Sequence, residues 1–109
     1  MAVTDKEKVD IVSIDKLSGE VKLTISDHLD WSDEFFHLQT LQEKINSYIE
    51  FIEGGQIYLD YPLSNGRKLV IQIVSKYDFT DLGKEFLEKA EPIVKSIGAE
   101  LRQIRFIED

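Results

Sequence analysis

The sequence has no cysteine, only two prolines and a single tryptophan among its 109 residues. A chain without cysteine can form neither disulfides nor a thiolate metal site. Residues 1–8 lack the apolar core of a secretory signal peptide, and no apolar run is long enough to cross a membrane. The hydrophobic content of 42% is too high for a disordered chain. We therefore expect one cytoplasmic domain over residues 1–109, with no membrane association.

Basic residues are scarce in the middle of the chain. Lysine and arginine number 13 against 21 aspartates and glutamates, which gives a net charge of −8. Residues 23–66 hold eight acidic residues and one base, Lys44. Such a charge repels phosphate backbones, so we expect no nucleic-acid partner. Three interpretations of the acidic block stay open: a solubilising face, a surface that meets a basic protein partner, or a cation site.

Hydropathy periods predict an ordered series of strands and helices. Alternating apolar residues predict five strands, at 9–15, 20–27, 56–61, 68–77 and 99–107. Helical spacing predicts two helices, one at about 33–53 and one that begins at Thr80 or Asp81 and ends before Gly98. At the start of the first helix, Ser32 is the expected N-cap, and Trp31 and Phe36 occupy the two positions of a hydrophobic staple. The uneven apolar spacing of the last strand predicts a bulge near Arg102 and Gln103.

This order predicts the α+β fold class. From Glu20 onward the elements run strand, helix, strand, strand, helix, strand, which is the ferredoxin-like order. We expect a two-layer sandwich, with a mainly antiparallel sheet of four or five strands and two helices on one face. The strand at 9–15 is then an extra N-terminal strand.

The junction between the second predicted strand and the first helix is the candidate binding site. Its candidate residues are Asp27, His28, Asp30, Trp31 and His37. Asp27 ends a core-facing strand. It therefore accepts backbone N–H groups or pairs with a basic side chain, or it serves as a ligand or general base. The two histidines do not have a short metal-ligand spacing, so we expect no metal and no cofactor.

The outer face of the first helix is the candidate interaction surface. Phe36 and Phe51 fall outside the main apolar stripe, which indicates a second contact such as a homo-oligomer interface. Glu43, Glu50 and Glu53 supply its acidic charge. No nucleophile motif and no phosphate-binding glycine loop is present, so no residue is assigned a catalytic role.

Several segments resemble a small bacterial family of uncharacterised single-domain proteins. They are Leu23-Thr24-Ile25-Ser26-Asp27-His28-Leu29-Asp30-Trp31, Leu41-Gln42-Glu43-Lys44-Ile45-Asn46, Phe51-Ile52-Glu53, Gly66-Arg67-Lys68 and Phe86-Leu87-Glu88-Lys89. The resemblance spans nearly the whole chain, and Ser-Asp-His-Leu-x-Trp is its most specific part. It implies a free-standing cytoplasmic domain and supplies no catalytic residue.

Two functions follow as hypotheses. The first is a non-enzymatic acidic module, homo-oligomeric, that binds a basic protein through the helix. The alternative is a small-molecule or cation-binding domain, enzymatic or not, with its site at residues 27–34.

Overall fold

The computed structural model describes residues 11–106, which form four strands and three α-helices. The strands are β1 (Ile11–Ile14), β2 (Val21–Asp27), β3 (Leu69–Ser75) and β4 (Ala99–Arg105). The helices are α1 (Glu34–Glu53), α2 (Gln56–Asp60) and α3 (Asp81–Ser96), and a 3₁₀ turn spans Pro62–Ser64. Four of the predicted strands and both predicted helices are therefore present, although the outermost residues of the first and last strands lie outside the described range.

The predicted strand at 56–61 is wrong, because this segment forms the short helix α2. Gly55 precedes it with a φ of +79°, a left-handed conformation that glycine adopts without strain. Gln56 and Asp60 then join their side chains one helical turn apart, at 2.9 Å. Of the alternating apolar residues, Ile57 is fully buried but Leu59 is 76% exposed. The alternation therefore does not mark one buried face of a strand.

Because residues 56–61 do not form a strand, the observed sheet is mainly parallel and not mainly antiparallel as predicted. The strand order is β1-β2-β3-β4, in which β1 pairs antiparallel with β2 while β2, β3 and β4 run parallel. The predicted ferredoxin-like order and mainly antiparallel sheet are therefore wrong. With one strand fewer, α1 and α3 must each carry the chain back along the sheet, as crossover connections between parallel strands do.

Both crossover helices pack against the same face of the sheet. Alternate strand residues of β2, β3 and β4 share one core cluster with the buried residues of α1 and α3. Among them, Leu23, Ile71 and Tyr48 are fully buried, and the Tyr48 hydroxyl donates a 2.7 Å hydrogen bond to the Thr24 carbonyl. Because α1 and α3 connect parallel strands in the same sense, they run side by side in the same direction. Within residues 11–106, no helix is both long and apolar enough to cross a membrane.

The start of α1 lies one residue later than predicted. Asp33, not Ser32, is the N-cap, and its carboxylate accepts the Phe36 N–H at 3.1 Å. The staple position inside the helix therefore moves by one residue, from Phe36 to His37. Phe36 is 49% exposed as a result.

Strand β4 pairs without the predicted bulge. Its register with β3 is continuous through Arg102 and Gln103. Leu101 is buried on the face under the helices, whereas Ile104 lies on the opposite face of this edge strand and is 44% exposed. A single unbroken strand therefore accommodates both residues.

The sheet face without helices carries a network of ion pairs. Arg102 bonds both Glu20 and Glu100, and Lys68 joins the same two carboxylates. The Arg102 guanidinium lowers the pKa of Glu20, and the Lys68 ammonium followed by Arg102 lowers that of Glu100. This network ties the beginning of β2 to β4 across β3.

Candidate functional site

The candidate junction lies at the carboxyl end of the parallel strands. Strand β2 ends at Asp27 and pairs there with Ser75, the last residue of β3. The chain then crosses residues 28–33 before α1 begins. In open sheets of parallel strands, ligands commonly bind at this edge. The side chains at the junction therefore decide whether it is open or closed.

Asp27 and His37 form a buried pair at the centre of the junction. The His37 Nε2 atom lies 2.7 Å from Asp27 Oδ2 and 2.8 Å from Oδ1, and both side chains are at most 1% exposed. His37 Nδ1 lies 3.0 Å from the Asp30 carbonyl, and Asp27 Oδ1 also accepts the Leu29 N–H. Neither ring nitrogen is left to receive a proton from a substrate, so in this arrangement His37 holds the loop rather than serving as a general base.

Trp31 closes the junction from outside. Its ring stacks on the His37 ring at a centroid distance of 3.8 Å and meets the Phe79 ring edge-on at 5.1 Å. The first turn of α3 allows this approach because residue 83 is glycine: a Cβ there would lie 2.7 Å from Trp31 Cη2. Within the described chain, the Trp31 Nε1 group is buried without a hydrogen-bond partner. The aromatic rings thus shield the Asp27–His37 pair from water.

The other predicted junction residues do not join this cluster through their side chains. His28 is exposed, on the opposite side of the strand end. The Asp30 carboxylate bonds the Ser32 hydroxyl and N–H, which lower the pKa of Asp30. Only three of the five candidates, Asp27, Trp31 and His37, are therefore brought together. Among the described residues, no group of three or more histidine and carboxylate side chains could hold a metal ion.

The residues of the predicted interaction surface on α1 differ in exposure. Glu50, Glu53 and Phe36 are exposed, and Glu43 is half-buried. The prediction that Phe51 points outward is wrong: it packs against the core cluster and meets the Tyr61 ring edge-on at 6.4 Å. Tyr61, the residue that follows α2, thus lies against Phe51.

Sequence reasoning missed Phe35, which is the most exposed aromatic residue on α1. Its side chain is 80% exposed. Phe35 stands seven residues before Gln42 and eleven before Asn46, both of which are exposed. Residues at these spacings share one side of a helix, so the pattern places Phe35 on the solvent side. This signal was available in the sequence.

The exposed surface of α1 carries the carboxylates of Glu50 and Glu53. Lys44, the only base in α1, is fully buried and lies 5.6 Å from the centre of the Tyr48 ring. Glu50 and Glu53 are exposed and form no ion pair within the part of the chain that the structure describes. On α3, by contrast, acids pair with bases one turn away, as Glu85 does with Lys89 and Glu91 with Lys95.

A groove of about 240 Å³ lies between α1 and α3. Its walls are mostly apolar, with polar groups on the rim. The lining residues are Gln42, Ile45, Asn46, Ile49, Phe86, Lys89, Ala90 and Ile93. Ile93 is 57% exposed, so it presents apolar surface in the groove.

The chain belongs to a family of unknown function, DUF6572, which matches residues 1–107. This match confirms the resemblance to a family without an assigned activity, over nearly the whole chain. No curated protein and no solved structure matches the chain. The functional argument therefore rests on the surface and the junction themselves.

Proposed function

We propose that this member of a family of unknown function is a non-enzymatic interaction module that binds a basic protein through the acidic surface of α1. The observation that carries the proposal is the charge of that surface. Glu50 and Glu53 are exposed, and burial of Lys44 removes the one positive charge of α1 from it. A surface of one sign attracts partners of the opposite sign and suppresses contact with its own kind.

The alternative, a ligand site at residues 27–34, has weaker support. Asp27 and His37 are each 1% exposed, so a ligand has no direct access to them. Both ring nitrogens of His37 already have partners. A ligand would have to displace Trp31 and break these bonds before it could bind there. The premise for a homo-oligomer is weaker too, because Phe51 packs inward instead of presenting a contact surface.

The proposal is tested by capturing partners from the host lysate with the tagged protein at low and high salt. We expect a basic protein in stoichiometric amount at low salt and its loss at high salt, because salt screens exposed charges. The test variant carries Glu43→Lys, Glu50→Lys and Glu53→Lys, and we expect it to recover at least about tenfold less partner.

A matched control separates the α1 surface from net charge alone. The variant Asp81→Lys, Glu88→Lys and Glu91→Lys makes the same charge change on α3, at exposed residues that do not line the groove. We expect it to recover the partner about as well as the wild-type protein does. Equal loss in both variants, or full recovery with the α1 variant, would show that the α1 surface is not the binding site.

A further inference from the structure

The groove between α1 and α3 has a shape and a border that define one kind of occupant. Both helices run in the same direction, and each contributes four residues to the groove. On α3 the wall residues Phe86, Lys89 and Ile93 follow at intervals of three and four. Such spacing forms a continuous stripe along a helix.

The α1 wall continues beyond the groove at both ends. Phe35 stands seven residues before Gln42, and Glu53 stands four residues after Ile49, so both lie on the groove side of α1. One end of the channel therefore presents an exposed aromatic ring, and the other end presents a carboxylate. Phe86 to Ile93 spans about 10.5 Å along the helix axis, which matches about two turns of an α-helix.

The charges around the groove favour an occupant with positive charge. Glu50 follows the lining residue Ile49 directly and Glu53 lies one helical turn after it, and neither forms an ion pair within residues 11–106. Lys89 is the only base in the lining, and Glu85 neutralises it at 3.4 Å. A second copy of the chain would bring its own net charge of −8 to this border. A basic segment would bring attraction instead.

From these observations we infer that the groove receives an amphipathic basic helix of the partner protein. The apolar side of that helix packs between Ile49, Phe86 and Ile93, and its lysine or arginine side chains reach Glu50 and Glu53. This is the helix-in-groove mode of recognition, in which anchors at helical spacing enter an apolar channel. The inference rests on the proposed function and adds the structure of the recognised segment.

The test uses two labelled peptides made only of leucine and lysine, each 14 residues long. One has its leucines at helical spacing, so that it forms an amphipathic helix. The other has the same composition in scrambled order. Binding to the full chain is measured by fluorescence anisotropy at low salt, and the contact site by amide chemical shifts in ¹H–¹⁵N spectra. We expect the amphipathic peptide to bind and to shift the amides of Asn46, Ile49, Phe86 and Ile93.

Two matched variants decide whether the groove makes the contact. Ile93→Asn removes an exposed aliphatic anchor from the groove, and we expect it to weaken binding of the amphipathic peptide about tenfold. Leu63→Asn is the control, because Leu63 is 75% exposed and lies outside the groove. It should bind the peptide as the wild-type protein does, and urea unfolding verifies that both variants are folded.

The remaining outcomes overturn the inference in distinguishable ways. Equal binding of both peptides, with shifts at Glu50 and Glu53 but not in the groove, would leave an acidic binding surface and reject the helix in the groove. Absence of binding by either peptide would reject the groove as well, while the lysate experiment still judges the proposed function. Self-association of the protein that Ile93→Asn abolishes would show that a second copy occupies the groove.

Discussion

His37 stabilises the junction by pairing with a carboxylate that has no access to water. The Asp27 side chain is 0% exposed, and its partners are the His37 ring and the Leu29 N–H. A buried carboxylate that loses its partner keeps the full penalty of removal from water. Removing one partner of the pair should therefore destabilise the protein chiefly because it leaves the other partner buried and unpaired.

Replacing His37 should destabilise the protein strongly. We expect His37→Ala to lower the free energy of unfolding by about 3 kcal/mol, because it leaves Asp27 buried and unpaired. Urea unfolding measures the change. The control His28→Ala alters an exposed side chain and should stay within about 0.5 kcal/mol of the wild-type value.

A double variant separates the buried charge from the lost volume of the ring. Asp27→Leu together with His37→Phe replaces the pair with apolar groups, and we expect it to be more stable than His37→Ala. If His37→Ala costs no more than His28→Ala, the pair does not stabilise the junction, and Asp27 must find water or another partner.

The sequence indicates the role of Asp27 but not its partner. A carboxylate at the end of a core-facing strand has to accept hydrogen bonds or pair with a base, and Asp27 does both. The position of His37 depends on where α1 begins. Because Asp33 takes the cap that Ser32 was expected to provide, each helical residue rotates by about 100° relative to Trp31. A shift of one residue thus decides whether Trp31 meets Phe36 or His37.

The first turn of helix α3 contains a glycine, and the close contact with another element explains why no larger residue stands there. Gly83 lies in the first turn of α3, and its N–H bonds the Thr80 hydroxyl. A Cβ on this residue would lie 2.7 Å from Trp31 Cη2 and 3.0 Å from Phe79 Cδ2. A glycine near the start of a helical pattern is therefore a sign of close packing, although the sequence does not say against which residue.

Helix propensity favours alanine at residue 83, whereas the contact with Trp31 excludes it. The effect of Gly83→Ala on the free energy of unfolding should therefore change sign when Trp31 is replaced. We expect Gly83→Ala to destabilise the wild-type protein by about 1–3 kcal/mol, because the new methyl group enters the Trp31 ring. In a Trp31→Val background the Phe79 ring, whose Cδ2 atom would lie 3.0 Å from the new Cβ, can move into the space that Trp31 leaves. The same substitution should then stabilise by up to about 1 kcal/mol, since alanine favours helix over glycine. Urea unfolding of the four proteins measures the coupling, and equal effects of Gly83→Ala in both backgrounds would contradict the contact.

Short elements account for most of the difference between the predicted and observed folds. Long periodic segments such as α1 and α3 were predicted within one or two residues at each end. The five residues of α2 are too few for periodicity to distinguish a helix from a strand. Tertiary packing decides whether this segment is a helix or a strand: Ile57 is buried in the core, whereas Leu59 is exposed. One wrong short element then changed the predicted direction of two strands.

At the scale of the whole molecule, α1 and α3 differ in how their charges are distributed. Both carry several acids, but those of α3 alternate with lysines, as the Glu85–Lys89 and Glu91–Lys95 pairs show. Within residues 11–106, the exposed acids Glu50 and Glu53 of α1 form no such ion pair, and Lys44, the one lysine of α1, is buried. The repulsion that accompanies a net charge of −8 should therefore concentrate along α1.

The salt dependence of stability tests this separation without any partner. Salt at about 0.15 M screens charges more than about 8 Å apart, so we expect the wild-type free energy of unfolding to rise by about 0.5 kcal/mol from low salt. Reversal of Glu43, Glu50 and Glu53 to lysine should abolish the rise, because it changes the net charge from −8 to −2 (three reversals of +2 each) and relieves the repulsion on α1.

The equivalent reversal of Glu85, Glu88 and Glu91 gives the same net charge but the opposite expectation. It places new lysines beside Lys84, Lys89 and Lys95, so like charges now repel along α3 and salt should still stabilise the variant. Urea midpoints at two salt concentrations compare the three proteins. If both reversals flatten the dependence equally, net charge alone governs it. If only the α1 reversal does, the acidic surface is a local feature of α1, as recognition of a basic partner there requires.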